Sequence, residues 1–245
     1  MVPQTVIGPC QITCSGHARS LAGGPCIPRV GTVARLPNLP PVGFSRAELE
    51  AARDRAVPDL LGEQPRLLFV GINPGLWTAA TQAHFAKRGN RFYPALHRAG
   101  LTGHVIDASA ALSAADALDL ISRGIGITNI VNRATARADE LSASEIRRGG
   151  IELAAKISRL RPTVVVVLGI TAYRIAFERP AATSGWQPEG LGGAALLVAG
   201  NPSGLNAHAT VDSLAESFRE AAGRAGVPVV RTPGSFYEDP RTASA

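Results

Sequence analysis

Cysteine is scarce in this 245-residue chain, with Cys10, Cys14 and Cys26 all lying in the first 26 positions. Three thiols cannot build a disulfide framework, and everything after Cys26 needs no oxidising compartment. Lysine is scarcer still. Only Lys87 and Lys156 stand among 25 basic residues, so the positive charge is almost wholly guanidinium, which suits bidentate phosphate contact but also follows from codon usage. Long apolar runs are missing as well. Val164 to Leu168 and Ala194 to Ala199 fall far short of the ~18 residues that would span a bilayer, which argues against an integral membrane protein. Acid is absent from residues 1–43, where Arg19, Arg29 and Arg35 supply half of the net +6 amid seven Pro and six Gly. With no helical or alternating period, this stretch is expected to be a disordered extension. It has neither the basic start nor the apolar block of a signal peptide. Its lack of acids fits a transit peptide only weakly against so much Pro and Gly, and an extension read from an upstream start codon fits as well.

What is present supports one folded domain over residues 44–231, followed by a flexible tail, 232–245. The chain is 45% apolar, enough to bury a full core. Ser45-Arg46-Ala47-Glu48 is a capping-box sequence, and Leu49, Ala52 and Ala56 follow at helical spacing. Arg66 to Ile72 is a short apolar run cut off by Asn73-Pro74-Gly75, which predicts a buried strand ending in a turn. Further strands are predicted at Ile125–Val131, Thr163–Leu168 and Ala194–Ala199. Helices are predicted at Asn90–Ala99, Ser113–Ile121, Ser142–Leu160, from Thr171, and from Thr210 to Gly226. Gly149-Gly150 interrupts the Ser142 helix at ~1 kcal/mol per glycine, which implies close packing or a bend. Alternation of apolar strands with helices gives an α/β fold, a three-layer α/β/α sandwich with a mostly parallel sheet of about four strands.

Sites in such folds form at the carboxyl ends of strands. Two of these ends carry Asn-Pro loops: Gly71-Ile72-Asn73-Pro74-Gly75-Leu76 and Asn201-Pro202-Ser203-Gly204-Leu205. Each alone is ordinary turn material. Neither a G-x-x-x-x-G-K-[ST] nor a G-x-G-x-x-G phosphate loop is present. As a pair, in this order, GINPGL and NPSGL resemble the motifs of the mismatch-specific uracil-DNA glycosylase and thymine-DNA glycosylase family. Gly89-Asn90-Arg91-Phe92-Tyr93, Gly126 to Val131 and Glu145 to Gly150 are similar to segments of that family too, so the resemblance spans about residues 60–225.

The resemblance implies a DNA glycosylase that excises uracil, and thymine or modified pyrimidines, from mismatched duplex DNA. Breaking an N-glycosidic bond passes through an oxocarbenium-like sugar, so the enzyme must stabilise charge and place a water. Asn73 takes that role by resemblance; with no carboxylate in its loop, turnover is expected to be slow. A base inside a duplex must be flipped out before it can be reached. The family places a ring against the flipped base at the position of Phe85, backbone groups of Ile72 and Phe85 at its edge, and Thr78 in the pocket wall. Trp77 departs from the family, and either narrows the pocket or faces outward. Leu205 matches the residue wedged into the vacated stack, with Asn201, Ser203 and Gly204 toward the flanking phosphates. Where bacterial mismatch enzymes carry an Arg against the opposite base, this chain has Ala207, with His208 or Asn206 as substitutes. Lys87, Arg88, Arg91 and Arg98 make a basic cluster that either tracks the DNA backbone or is a solvated face.

Neither lysine lies in a motif, so no Lys nucleophile, and hence a monofunctional hydrolase, is expected. No cofactor or metal is expected. Cys10, Cys14, His17 and Cys26 contain the donors for a Cys3His zinc site, but their spacing matches no known finger. The expected protein is a monomer acting on double-stranded DNA, cytoplasmic and nucleoid-associated in a bacterium, with no membrane partner. Two other classes fit the loops: a non-catalytic module that binds damaged DNA, and a nucleoside or nucleotide hydrolase, in which Leu205 would have no task.

Overall fold

The structure is a computed structural model that describes residues 43–204 and 209–230. The expectations for the extension, its cysteines, Leu205, Asn206, Ala207, His208 and the tail lie outside the described residues. Five strands form one sheet: β1 (Leu67–Gly71), β2 (Ile125–Asn129), β3 (Val164–Leu168), β4 (Gly185–Trp186) and β5 (Ala195–Ala199). Their order is β2-β1-β3-β5-β4. The first three and β5 run parallel, as their unbroken apolar sequences require, while β4 pairs antiparallel with β5 at the edge. Four strands were expected; the fifth has only two residues, too few to show a period in the sequence.

Alternation along the strands divides the core in two. Leu67, Phe69, Ile125, Ile127, Val164, Val166 and Leu197 join one cluster with residues of α3 (Phe92–Arg98), α4 (Ala114–Ser122) and α7 (Val211–Ala225). Leu68, Val70, Val165, Val167, Leu196 and Val198 join the other with α5 (Ala143–Leu160) and α6 (Ile170–Ala176). These are the three layers. Inside α5, a Cβ on Gly149 would collide with the Ile130 carbonyl, and one on Gly150 with the Ala176 carbonyl. The glycine pair therefore serves close packing, letting α5 lie against the end of β2 and the end of α6.

At the chain's entry, α1 is shorter than its spacing predicts, Arg46–Glu50 rather than a helix reaching Ala56. Its capping box is complete, with Ser45 Oγ accepting from the Glu48 N–H at 3.2 Å and the Glu48 carboxylate accepting from the Ser45 N–H at 2.7 Å. The helix stops because Asp54 turns to φ 62 and donates its N–H to the Ala134 carbonyl. Ala52 and Val57 instead pack with Ala79 and Ala134 beneath the first motif loop. One helix escaped the periodicity altogether: α2 (Leu76–Thr81), six residues opening directly from the GINPG turn.

Candidate functional site

The sheet's register sets the site. Gly71 and Asn129 are paired partners at the ends of β1 and β2, so the chain leaves both strands at one level. The Ile130 and Val131 N–H groups donate to the Gly71 and Ile72 carbonyls at 2.9 and 3.0 Å, which zips the two exits together. The Ile72 carbonyl is thus already engaged, and its side chain packs beside Gly169 at the mouth of β3.

Asn73 is half-buried, with its amide nitrogen clamped by the loop that follows β2. Nδ2 donates to the Arg133 carbonyl at 2.9 Å and to Thr135 Oγ1 at 2.7 Å, with Pro74 O at 3.2 Å. Thr135 is buried and spends its own proton on the Arg137 carbonyl at 2.7 Å, so toward Asn73 it can only accept. Turning the amide over would set oxygen against the Arg133 carbonyl. The donors and acceptors therefore fix Nδ2 inward, and Oδ1 makes no hydrogen bond to any described residue. Arg133 is itself anchored, donating to Glu145 at 2.8 Å and to Asp54 at 2.8 Å. Glu145 also caps α5, and these bonds hold its carboxyl down to about 2, the backbone N–H of Ser142 contributing most.

Phe85 lies beyond α2, at φ 56, a left-handed conformation unusual for an aromatic residue. Its ring is half-buried and stacks on Phe92, centroids 4.0 Å apart and planes 27° from parallel, so one of its faces is backed by the core. The point where Gly71 would carry a Cβ lies 3.3 Å from Phe85 Cζ and in collision with Asn129 Oδ1. The bare Cα of Gly71 thus lets the Asn129 carboxamide oxygen and the edge of the Phe85 ring both close on the end of β1. Asn129 is buried. The sequence reading missed it; the signal available was an amide at a strand's carboxyl end inside the GITNIV segment. His84, also missed and also buried, lies beside it, with Nδ1 3.4 Å from Asn129 Nδ2 and Nε2 2.9 Å from the Pro58 carbonyl.

Thr78 is buried on α2, where its carbonyl accepts the Gln82 and Ala83 N–H groups in the turn leading toward Phe85; no hydrogen bond joins it to Asn73, Phe85 or Asn129. Trp77 does not face outward. It packs against the α3–α7 core, donates its indole N–H to the Ser109 carbonyl at 2.9 Å and meets Phe44 edge-on. Arg91, at the start of α3 in the Gly89–Tyr93 segment, fastens the second motif loop. Its backbone N–H donates to the Pro202 carbonyl at 2.9 Å and its guanidinium to the Ser203 carbonyl at 3.1 Å. Asn201 Oδ1 accepts the Ser203 N–H at 3.0 Å, and a Cβ on Gly204 would come 2.9 Å from the Gly89 carbonyl. Of the basic cluster, Lys87 and Arg88 are exposed, while Arg98 pairs with Asp212 at 2.9 Å. Lys156 is spoken for, its ammonium 2.6 Å from Asp59 and 3.0 Å from the Thr128 hydroxyl.

A groove of about 690 Å³ opens at the ends of β3 and β5, lined by Ile72, Gly169, Thr171, Ser184, Asn201 and Ser213 among others. It shares one residue with each motif loop and includes neither Asn73, Phe85 nor Asn129. Among the described residues no helix is long and apolar enough to cross a membrane.

This arrangement, two Asn-Pro loops at strand ends around an amide and a recessed ring, belongs to an α/β enzyme class that works on nucleobases. Residues 58–222 match the model of the uracil DNA glycosylase superfamily, and the chain belongs to that superfamily. Its activity is accordingly of the uracil-DNA glycosylase type, hydrolysis of the bond between base and deoxyribose in DNA. A solution NMR structure from Methanosarcina acetivorans, provisionally named a uracil DNA glycosylase, is similar at 16% identity with a TM-score of 0.48, over 69% of this chain and 98% of that one.

Proposed function

We propose that the protein is a monofunctional mismatch-directed DNA glycosylase that removes uracil, and thymine or modified pyrimidines, from duplex DNA to begin base excision repair. The orientation of the Asn73 amide carries this reading. With Nδ2 held by Arg133 and Thr135, Oδ1 is the end left to accept a hydrogen bond from a water, orienting the water's lone pair toward the anomeric carbon. As the C1′–N1 bond breaks, its electron pair leaves with the base and the sugar becomes oxocarbenium-like; the water adds to C1′ and its proton goes to bulk solvent or the departing base. An amide shifts no proton itself, so catalysis comes from placement and from dipoles, which agrees with slow turnover.

The flipped pyrimidine would lie against the Phe85 face not covered by Phe92, with its edge toward Asn129 and the Ile72 and Phe85 backbones. Asn201, Ser203 and Gly204, fastened by Arg91, would meet the phosphates beside the lesion, and Leu205 would fill the gap in the stack. Lys156 is engaged with Asp59, which supports hydrolysis by water over attack by an amine.

The test is excision from duplexes carrying uracil opposite guanine, uracil opposite adenine, and from single strands, followed by alkaline cleavage of abasic sites. Product opposite guanine is expected first. Asn73→Ala should lower single-turnover release by about 10²- to 10³-fold while DNA affinity stays within about twofold. Tight binding of mismatched or abasic DNA by the wild type without release of any base would favour a non-catalytic damage-binding module instead.

A further inference from the structure

We infer that His84 is a positioning residue that decides which end of the Asn129 amide faces the base recess, and so which pyrimidine edge the recess accepts. The inference rests on the reading of Gly71, Phe85 and Asn129 as the base pocket. The Pro58 carbonyl is purely an acceptor, so His84 Nε2, 2.9 Å away, must carry a proton. In the neutral ring Nδ1 is then an acceptor, and it faces Asn129 Nδ2 at 3.4 Å, a long contact but one with matched polarity. With the amide nitrogen turned to His84, Oδ1 is turned to Gly71, at the point where a Cβ would meet both it and Phe85 Cζ. An acceptor there complements the N3–H of uracil or thymine. Cytosine presents a lone pair at N3 and is repelled.

A second proton on the ring would reverse this. Nδ1–H would oppose the amide NH2, donor to donor, and the amide would turn so that Oδ1 meets the imidazolium and NH2 enters the recess. Burial disfavours that state and holds the imidazole below its ordinary 6.5. The charged groups bearing on the ring are Asp59, which favours protonation, and Lys156, which opposes it; the two are paired at 2.6 Å and offset each other. Tyr93 donates its hydroxyl to the His84 carbonyl at 3.0 Å, and its own burial keeps it a neutral phenol.

Two measurements test this. Nitrogen-15 NMR of the intact wild type should show His84 at pH 7 as the neutral Nε2–H tautomer, titrating below 6.5; an Nδ1–H tautomer, or a cation at pH 7, overturns the inference. The second compares wild type, His84→Gln and His84→Leu on duplexes with 5-fluorouracil or 5-fluorocytosine opposite guanine, where fluorine eases departure of either base. The Gln variant can give an N–H to Pro58 and an oxygen to Asn129, whereas Leu can do neither. Wild-type preference for the uracil edge should drop about tenfold as pH falls through the His84 titration, stay high and flat in His84→Gln, and be about tenfold lower at every pH in His84→Leu. Equal preference and equal pH profiles in all three overturn it. Should His84→Leu fail to fold, the flat profile of His84→Gln against the sloping wild type decides. A wild type that releases neither base sinks the glycosylase reading and the pocket with it, while the NMR result still decides the tautomer separately.

Discussion

An amide side chain can offer either end to a ligand, and at Asn73 the neighbours settle which. The Arg133 carbonyl and the Thr135 hydroxyl both accept from Nδ2, and Thr135 is committed as an acceptor by its bond to the Arg137 carbonyl. Thr135→Val keeps the volume and removes the shortest of the three acceptors around Nδ2. One N–H of the amide is then left with only the longer contact to the Pro74 carbonyl and the side chain gains freedom, at a cost of about 1 kcal/mol. Single-turnover base release should fall about tenfold with DNA affinity unchanged, whereas a loss of affinity in parallel would mean that Thr135 serves DNA binding instead. Asn73 was readable from the GINPGL motif because a motif needs only neighbours in sequence. Its clamp was not, because Arg133 and Thr135 lie about sixty residues further on and are ordinary loop residues until β1 and β2 end side by side.

At the scale of elements, α5 does two jobs. Its glycine pair lets it approach the Ile130 and Ala176 carbonyls, and its first turn supplies Glu145 to Arg133, whose carbonyl holds Asn73. In an exposed helix Gly→Ala gains about 1 kcal/mol. At Gly150 the added methyl meets a backbone carbonyl, so Gly150→Ala should instead destabilise by about 1–3 kcal/mol, read as a lower denaturant midpoint. A raised midpoint would mean α5 can shift outward freely. Glu145 makes acid stability depend on pH in a definite sense. Its folded pKa, about 2, lies below the ordinary 4.5, so its contribution is complete above about 4.5 and is lost as pH falls toward 2. Unfolding free energy of the wild type should therefore decline more steeply across that window than that of Glu145→Gln. Coincident slopes would show that the carboxylate is as well solvated folded as unfolded. Helix α2 shows the reverse limit of sequence patterns, since six residues opening from Gly75 are too few for a period, and the packing of Ala79 against Ala52, Val57 and Ala134 makes it a helix.

For the whole molecule, charge is the relevant quantity. The net +6 splits evenly between residues 1–43 and the remainder, so the glycosylase region is only mildly basic. DNA affinity should fall linearly with salt on a logarithmic scale, and removing residues 1–43 should shallow that slope by up to about 3, one unit for each arginine lost, without stopping base release. An unchanged slope would show that Arg19, Arg29 and Arg35 do not meet phosphate. The fold brings the two motifs to the same end of the sheet across about 130 residues of chain, with Ile72 and Asn201 both beside Gly169, and Arg91 fastens the second of them by donating to Pro202 and Ser203. In the sequence Arg91 was one of four cations with no way to rank them. Only the structure separates it from Arg98, which pairs with Asp212 on α7.

The sequence alone determined four of the five strands, the α/β layering and the two loops, because apolar runs, turn residues and short motifs are legible from neighbours along the chain. Only the tertiary structure decided what those loops hold. Which end of Asn73 is held, that Gly71 lets Asn129 and Phe85 close on the end of β1, that Trp77 joins Ser109 and Phe44 to the core, and that His84 stands beside Asn129 all depend on hydrogen bonds and close approaches between distant segments. Such contacts exist only when the parallel register sets Gly71 beside Asn129.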